Sequence, residues 1–423
     1  MKKLLNHPED FADQPLDGLC LAYPELYTRR GESGRIVPQA AGSQALKPRK
    51  ETMKRTIHTP TWSALAFLCA LTTSTADPST PKGFDVASRP NLLPDPDGKP
   101  ADLSKPVQVY ILLGQSNMLG FGKINPAKGN SNGSLTQAAK EKGLYPYLVD
   151  DAGDWTERKD VRNVRVMGSG TGGMRLFNNE WMTIKDKAIG PEIGIGHHVG
   201  HATDAPVMLL KSCIGNRALG WDLLPSGSEP FEFTDAKGVT WIHPGYKGTP
   251  ERWEKGTEPK KINWYAGMQY DGDIARARKV LAELDKYYPG ATEYEIAGFF
   301  WWQGDRDSRS AALSNRYEKN LVHLIKQLRK DFDAPNAKFV CATLGQTEKG
   351  ATDGGGKILD AMLAVDGNSG RYPEFKGNVA TVYSHPLSKG GSSGGHYGGN
   401  AETYMNVGEA MGRAMVKLMK SVR

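Results

Sequence analysis

Five short runs of apolar and β-branched residues constrain the fold more than any other feature of the sequence. The runs are VQVYILLG, APVMLLKSCIG, EYEIAGFFWWQG, AKFVCATLG and NVATVYSH. Each is continuous rather than alternating in polarity, which is typical of strands covered by other elements on both faces. The sequence therefore predicts a parallel sheet as the centre of the fold.

Three segments between or after these runs have the periodicity of amphipathic helices. Their apolar positions are Ile274, Ala277, Leu281 and Leu284 in the first, Tyr317, Leu321, Leu324 and Leu328 in the second, and Tyr404, Val407, Met411, Met415 and Leu418 in the third. A strand followed by a helix, repeated along the chain, predicts the α/β class with helices on both faces of the sheet.

The N-terminal part of the chain lacks this rhythm. From Met53 it has a basic start, an apolar stretch and small residues ending at Ala76, which is the layout of a secretory signal peptide. Because a signal peptide begins a protein, we interpret residues 1–52 as a spurious or disordered extension and residues 53–76 as the signal peptide. The alternative is a disordered tail followed by a short buried helix. We expect a secreted or periplasmic protein with a linker at 77–104 and a folded domain at 105–423.

Charge and hydropathy narrow the possible partners. The net charge is +7, but the basic residues are scattered along the chain rather than gathered with aromatic residues on one element, so nucleic-acid binding is not expected. No apolar run approaches the ~18 residues that span a bilayer, so no membrane span is expected. The sequence does not indicate an oligomeric state.

The region from about 221 to 264 is the one long exception to the strand and helix pattern. It is rich in Pro, Gly and aromatic residues and has no clear periodicity. Loops of this length are usually functional or disordered. The aromatic content favours an ordered insertion that acts as a lid.

Polar residues follow the predicted strands at the edge where ligands of parallel sheets bind. They are Ser116, the segment Gly215-Asn216-Arg217, the segment Gln303-Gly304-Asp305, and the loop from His385 to His396. A serine on a tight turn before a helix can serve as a nucleophile, and His396 can serve as its base. The alternative for GQSN is an ordinary polar turn. His197 and His201 have helical spacing for zinc but no third ligand, so we expect no metal.

Five motifs in this order resemble the SGNH hydrolase superfamily, in particular its sialate O-acetylesterase and acetylxylan esterase branch. They are GQSNM at 114–118, GPEIGIG at 190–196, KSCIGN at 211–216, WWQGD at 301–305 and HYGGNAETY at 396–404. The resemblance runs from about Val107 to the C-terminus. It implies a flavodoxin-like three-layer sandwich with a five-stranded parallel sheet in the order 2-1-3-4-5.

The resemblance also implies roles for individual residues. Ser116 would be the nucleophile and would donate its own N–H to the oxyanion hole. Gly215 would add a second backbone donor and Gln303 a side-chain donor, while His396 would be the general base. No cofactor is implied.

The sequence departs from the family pattern at the catalytic acid. The family's aspartate lies three residues before the histidine, where this chain has Ser393. Asp305 is our first candidate for a replacement, with Asp307 and Glu402 behind it, and a Ser-His dyad is the other possibility. Asp305 could equally cap the turn that follows its strand.

Several further residues near these motifs are expected to contact substrate. They are Gln115, Asn117, Asn216, Arg217, Trp221 and Trp302. The implied strand order separates Cys213 from Cys341 by about 14 Å, too far for a disulfide. We therefore expect two free thiols.

These features favour a secreted serine esterase that removes O-acetyl groups from a carbohydrate. Two alternatives stay open, namely a non-catalytic carbohydrate-binding protein on the same fold and a general small-acyl esterase or lipase.

Overall fold

The computed structural model describes residues 93–126 and 133–421. The proposed extension at 1–52 and the proposed signal peptide at 53–76 lie outside the described residues, as does the first part of the proposed linker. The described remainder of that linker, residues 93–104, contains no helix or strand.

The described residues form twelve strands and eight α-helices. The strands are β1 (Val107–Gly114), β2 (Gly122–Lys123), β3 (Arg158–Met167), β4 (Arg175–Met182), β5 (Ala188–Ile189), β6 (Val207–Ser212), β7 (Phe231–Thr234), β8 (Thr240–His243), β9 (Trp253–Glu254), β10 (Tyr294–Trp302), β11 (Lys338–Ala342) and β12 (Val379–Val382). The helices are α1 (Ser116–Leu119), α2 (Glu192–Gly200), α3 (Met268–Ala282), α4 (Leu284–Tyr287), α5 (Asp305–Ser308), α6 (Ala311–Asp331), α7 (Gly354–Ala364) and α8 (Ala401–Lys420). None of these helices is long and apolar enough to cross a bilayer.

The central sheet has seven strands in the order β12-β11-β10-β1-β6-β3-β4. All neighbouring pairs are parallel except β3 and β4, which are antiparallel. The expected number of five strands was therefore wrong, because β3 and β4 extend the sheet beyond β6. β3 escaped the sequence analysis because charged residues such as Arg158, Asp160 and Arg162 interrupt its apolar pattern, and β4 is an edge strand with partly exposed side chains.

Helices cover both faces of this sheet and give the fold three layers. Residues of α3, α6 and α7 share one apolar core with one face of the sheet. Residues of α2 and α8 share a second core with the opposite face. The apolar faces predicted for three helices lie in these two cores, so the prediction of an α/β fold with a mostly parallel sheet is confirmed.

The aromatic-rich insertion is ordered and contains a small sheet of its own. Strands β7, β8 and β9 pair antiparallel in that order. Trp221 and Leu224 pack with Ala266 and Leu313 in a third, smaller core at the base of the insertion. The sequence missed these strands because each spans only two to four residues.

The two cysteines of the described region are free and buried, as expected. Cys213 directly follows β6 and Cys341 lies in β11, and the strands β1 and β10 separate them. Burial raises the pKa of both thiols to about 12.

Candidate active site

The first strand ends in a tight turn that leads directly into the helix carrying Ser116. Gly114 has a φ of 142°, and a Cβ atom at this position would overlap the carbonyl of Trp302 in the adjacent strand β10. Only glycine therefore fits at the end of β1. The N–H of Gln115 donates to the same carbonyl at 3.2 Å, and α1 begins at Ser116.

Gly215 lies directly against Ser116. A Cβ atom added to Gly215 would be 3.4 Å from Cβ of Ser116. Among the described residues, no group accepts a hydrogen bond from the backbone N–H of Ser116 or of Gly215. Ser116 and Gly215, the two residues predicted to supply backbone donors, therefore lie in contact with each other.

The loop after Gly215 is held in place by residues that follow the neighbouring strand. Asn216 has a left-handed φ of 53°, and Nη1 of Arg217 donates to its carbonyl at 3.2 Å. Nε2 of Gln303 donates to the carbonyl of Arg217 at 2.9 Å. Side-chain hydrogen bonds from Arg217 and Gln303 therefore hold two successive carbonyl groups of this loop, those of Asn216 and Arg217.

Gln303 does not fit the predicted role of an oxyanion donor. It is fully buried, and its amide nitrogen donates both to the Arg217 carbonyl and to Oδ2 of Asp307, at 2.9 and 2.5 Å. An amide nitrogen has two hydrogens, so none is left for an oxyanion. Gln303 instead supports the loop that carries Gly215.

Asp307 is likewise a support rather than a partner of the histidine. Its carboxylate accepts from the backbone N–H groups of Leu219 and Gly220, both at 2.8 Å, in addition to Gln303. It is completely buried, and burial raises its pKa to about 6. The sequence named it as a possible catalytic acid, but its oxygens face the loop at 217–220.

His396 lies on a strained turn that packs against α1. His396, Tyr397 and Gly398 all have left-handed backbone angles, which a histidine and a tyrosine rarely adopt. The ring of His396 stacks on Phe121, with centroids 4.0 Å apart and an interplanar angle of 8°. Buried Tyr397 fixes the turn, because its hydroxyl accepts from the N–H of Gly345 and its ring packs on Trp302.

The charge of Asp305 acts on the His396 ring. Burial lowers the pKa of His396 below its ordinary value of 6.5, and Asp305 opposes this shift. The carboxylate of Asp305 accepts from the hydroxyl of Ser393 at 2.8 Å and from the guanidinium of Arg309. The third acid candidate, Glu402, forms ion pairs with Lys142 and Lys389.

The three catalytic candidates meet at one edge of the sheet without closing a hydrogen-bonded triad. In the described part of the chain, no hydrogen bond joins the His396 ring to Ser116 or to Asp305. Catalytic hydrogen bonds are often long before substrate binds. The arrangement offers a serine, two backbone N–H groups without an acceptor among the described residues, an imidazole whose pKa is lowered by burial, and one carboxylate.

Four of the expected substrate contacts are buried. Trp302 is fully buried, and its Nε1 donates to the carbonyl of Thr343, so it cannot be a sugar platform. Trp221 belongs to the small core at the base of the insertion. Gln115 accepts from the N–H of Arg306 at 3.4 Å, and Asn117 is completely buried. These orientations could not be predicted from the sequence, because they follow from tertiary packing.

The other two expected contacts remain at the surface edge of the site. Asn216 is exposed. The Arg217 guanidinium lies over the ring of Trp264, 5.0 Å from its centroid, and donates to the hydroxyl of Ser169 at 3.3 Å. Trp264 and Ser169 were missed by the sequence analysis, because neither ends a predicted strand.

The histidines with zinc-like spacing have other environments. His197 is buried against Tyr147, with ring centroids 4.6 Å apart. The ring of His201 contacts the carbonyl of Pro94 at 2.9 Å. Within the described ranges, no group of three or more potential metal-ligating side chains was found.

A polar depression borders the segments that build this site. Its volume is about 350 Å³, and its walls include Ser308 at the end of α5, together with Gln346 and Thr347. Oε1 of Gln346 accepts from the backbone N–H of Ser393 at 3.1 Å, so the depression adjoins the loop that carries His396.

Comparison with protein families supports the resemblance seen in the sequence. Residues 243–417 match the family described as carbohydrate esterase, sialic acid-specific acetylesterase. The matched part includes Asp305 and His396 but not Ser116 or Gly215. The resemblance to SGNH-type sialate O-acetylesterases is thereby confirmed over this part of the chain.

Comparison with solved structures gives matches of low sequence identity. A protein from Arabidopsis thaliana is 18% identical, covers 74% of this chain and 98% of its own, and has a TM-score of 0.40. A carbohydrate acetylesterase from Xanthomonas citri is 14% identical, with coverages of 73% and 55% and a TM-score of 0.42. NanS is 14% identical, with coverages of 66% and 78% and a TM-score of 0.35. No curated protein matched the chain.

Proposed function

We propose that this relative of the sialic acid-specific acetylesterase family is a serine esterase that removes O-acetyl groups from a carbohydrate. The observation that carries the proposal is the contact between Ser116 and Gly215. It sets a nucleophile beside two backbone N–H groups that have no other acceptor among the described residues. Such a pair of donors is what the tetrahedral intermediate of acyl transfer requires.

In the first half of the reaction, Oγ of Ser116 attacks the carbonyl carbon of the acetyl ester. The N–H groups of Ser116 and Gly215 donate to the oxygen that becomes negative. His396 accepts the serine proton and then donates it to the departing sugar oxygen, which leaves as a free hydroxyl. The acetyl group remains on Ser116.

In the second half, a water molecule attacks the acetyl-serine. His396 takes a proton from the water and returns it to Oγ of Ser116, so that acetate and the free enzyme are formed. A base for both halves must be neutral before it accepts a proton. The lowered pKa of His396, caused by burial, supports this role near neutral pH.

Asp305 is the acid of this proposal. Its negative charge opposes the lowering of the His396 pKa, so it stabilises the imidazolium that forms in each half of the reaction. The Ser393 hydroxyl and the Arg309 guanidinium hold the carboxylate at the end of β10. Asp305 would thus act as the catalytic acid in place of the aspartate that the resemblance implies at position 393, where this chain has a serine.

The surroundings of the site support a sugar rather than a lipid as the group that carries the ester. The depression beside α5 is lined by Gln346, Thr347, Glu348 and Asp353, which can exchange hydrogen bonds with hydroxyl groups. A lipase would need an apolar groove at this place. An extracellular polysaccharide would fit the signal peptide proposed from the sequence, and we propose secretion on that basis alone.

A non-catalytic carbohydrate-binding protein is the second candidate. One observation favours it, namely that the His396 ring stacks on Phe121 while no hydrogen bond joins it to Ser116 in the described structure. A binding protein could keep the polar edge and lose the reaction.

One experiment separates the two candidates. Acetate release from p-nitrophenyl acetate, acetylated xylan and O-acetylated sialic acid is measured for the chain and for its S116A variant. Activity that disappears in S116A, with unchanged melting temperature, supports the esterase. Glycan binding without hydrolysis by either protein would support the binding protein instead.

A further inference from the structure

A buried ion pair joins two of the sequence motifs that the proposed reaction does not use. Nζ of Lys211 lies 2.5 Å from Oε2 of Glu192, and their side chains are only 2% and 9% exposed. Glu192 begins α2 in the motif GPEIGIG, and Lys211 lies in β6 in the motif KSCIGN. Removing both charges from water costs much of what their attraction returns, so stability alone does not account for the pair.

The ammonium group makes a second contact, which ties it to the helix of the proposed nucleophile. Nζ of Lys211 donates at 3.0 Å to the carbonyl of Leu119, the last residue of α1. Ser116 begins the same helix. Because α1 has only four residues, it has few hydrogen bonds of its own, and an external donor at its end matters correspondingly more.

Two glycines bring the backbone close to this pair. Gly120 has a φ of 95°, and a Cβ atom there would overlap the backbone of Gly190. A Cβ atom on Gly190 would lie 2.9 Å from Nζ of Lys211 and would also overlap the Glu192 carboxylate. Oε1 of Glu192 accepts from the N–H of Gly190 at 2.9 Å. The backbone just after α1, at Gly120, therefore packs closely against the backbone just before α2, at Gly190.

Lys211 also stands in register with the strand that leads to Ser116. Leu112 in β1 pairs with Lys211 in β6. Ser116 lies four residues after Leu112, just beyond the end of β1, and Gly215 lies four residues after Lys211, just beyond the end of β6. The side chain of Lys211 thus adds a direct tie between the strand of the backbone donor and the helix of the nucleophile.

We propose that Lys211 and Glu192 are positioning residues that fix Ser116 relative to the N–H of Gly215. The inference rests on the proposed esterase function. Lys211 holds α1 through the Leu119 carbonyl, and Glu192 holds the ammonium in place while it also orders Gly190. Neither residue touches the reacting atoms.

Glu192 also favours the charged form of Lys211. Burial lowers the pKa of Lys211, and Arg165 lowers it further, whereas Glu192 raises it. An uncharged amine would be a weaker donor to the Leu119 carbonyl. The two residues therefore have to be replaced together in a test.

The test compares the full chain with its K211M/E192L variant, which removes both charges of the ion pair together, so that neither charge is left buried alone. The Leu119 carbonyl and the Gly190 N–H lose their side-chain partners in this variant. We expect a folded protein whose kcat on p-nitrophenyl acetate falls about 100-fold, because small displacements of reacting groups are costly, while KM changes little. K211R keeps a cation and donors, and we expect it to retain more kcat than the double variant.

A matched control is available at the start of β3. Arg158 and Asp160 form another ion pair, with side chains 4% and 20% exposed and N···O at 2.5 Å, and R158M/D160L removes it. We expect this variant to keep its kcat. A folded K211M/E192L variant with kcat within about threefold of the parent, or an equal kcat loss in the control, would overturn the inference.

A second readout does not depend on esterase activity. If the parent hydrolyses no ester, the proposed function fails, and hydrogen exchange of the backbone of residues 107–123 then tests the pair directly. Faster exchange at α1 in K211M/E192L, but not in R158M/D160L, would support the positioning role. Unchanged exchange at α1 would refute it.

Discussion

The hydroxyl of Ser393 donates a hydrogen bond of 2.8 Å to Oδ1 of Asp305. Ser393 lies three residues before His396, where the sequence resemblance implies an aspartate. That position is therefore in direct contact with the carboxylate that we propose as the acid. Ser393 is completely buried, and Asp305 is 8% exposed. The hydrogen bond between this hydroxyl and this carboxylate is therefore shielded from water.

An aspartate at position 393 should lower both the stability and the activity of this protein. In S393D, a second carboxylate would face Asp305, and two buried carboxylates in contact cannot both ionise without strong repulsion. We expect S393D to lose about 2–3 kcal/mol of unfolding free energy and much of its activity. Urea unfolding and p-nitrophenyl acetate hydrolysis measure the two effects.

The double variant S393D/D305N supplies the control. An amide at 305 can donate to the new carboxylate, so we expect stability and part of the activity to return relative to S393D. The single change S393A removes only a donor and should cost about 1 kcal/mol. An S393D enzyme more active than the parent would show that Asp305 is not the acid.

The pH dependence of kcat/KM should report His396. Only the neutral imidazole can accept the serine proton, so activity is present above the pKa of His396 and is lost as the pH falls through it. Burial lowers this pKa below 6.5, and Asp305 opposes the shift. In D305N the opposing charge is gone, and we expect the acidic limb to move to lower pH while the rate falls about 100-fold.

Measurements of kcat/KM over a series of pH values locate the acidic limb of the parent and that of D305N. An acidic limb that stays in place in D305N, or that moves to higher pH, would argue against an electrostatic link between Asp305 and His396. An acidic limb of the parent above pH 6.5 would contradict the buried environment of the ring.

The loop that carries Gly215 should depend on Asp307. In D307N, an amide NH₂ group would face the N–H groups of Leu219 and Gly220, so at least one buried donor would lose its acceptor. We expect a loss of about 1–3 kcal/mol in unfolding free energy and a lower kcat with little change in KM.

Asp366 offers a matched control for this change. Its carboxylate also accepts from two backbone N–H groups, those of Asn368 and Thr381, each at 2.8 Å, and the second of these lies in β12. D366N should lower stability without lowering kcat, although by less than D307N, because Asp366 is only partly buried. Equal kcat losses in D307N and D366N would indicate a general effect of reduced stability.

Much of the fold could be predicted because buried parallel strands have a simple pattern. The runs ending at Gly114 and Trp302 are continuous and apolar, and each lies in the central sheet. β3 could not be found in this way, because Arg158 and Arg162 are buried only through partners that the fold supplies. Nε of Arg162, for example, donates to the carbonyl of Tyr287, 125 residues further along the chain.

The grouping of the candidate residues could be predicted from the sequence, but the directions of their side chains could be predicted only in part. Because ligands of parallel sheets bind beyond the carboxyl ends of the strands, Ser116, Gly215 and Asp305 could be predicted to lie at one edge of the sheet. The sequence pattern does not show which way a side chain points. Trp302 and Gln303 follow one another at the end of β10, yet both side chains are buried among partners that come from distant segments.

His243 should make stability depend on pH. It is buried and stacked on Phe231, both ring nitrogens lack partners among the described residues, and burial with nearby Arg252 lowers its pKa to about 4. As the pH falls from 6.5 towards 4, the unfolded chain takes up a proton that the folded chain does not, so stability is lost. We expect H243F to remove this loss, so that its advantage over the parent is larger at pH 5 than at pH 7.5.

Urea unfolding of the parent and H243F at both pH values measures this difference. Stabilities that decline in parallel for the two proteins would show that His243 is not a source of the pH dependence. His197 and His198 are present in both proteins, so their own lowered pKa values cancel in the comparison.

The two buried thiols, Cys213 and Cys341, can report on local or global unfolding of this protein. A thiol with a pKa of about 12 reacts slowly with alkylating reagents, and burial blocks access as well, so labelling requires the surrounding strand to open. Cys213 lies two residues before Gly215, while Cys341 lies in β11, which β10 and β1 separate from β6. Pulsed alkylation located by peptide mass spectrometry would therefore distinguish a local opening beside Gly215 from unfolding of the whole domain.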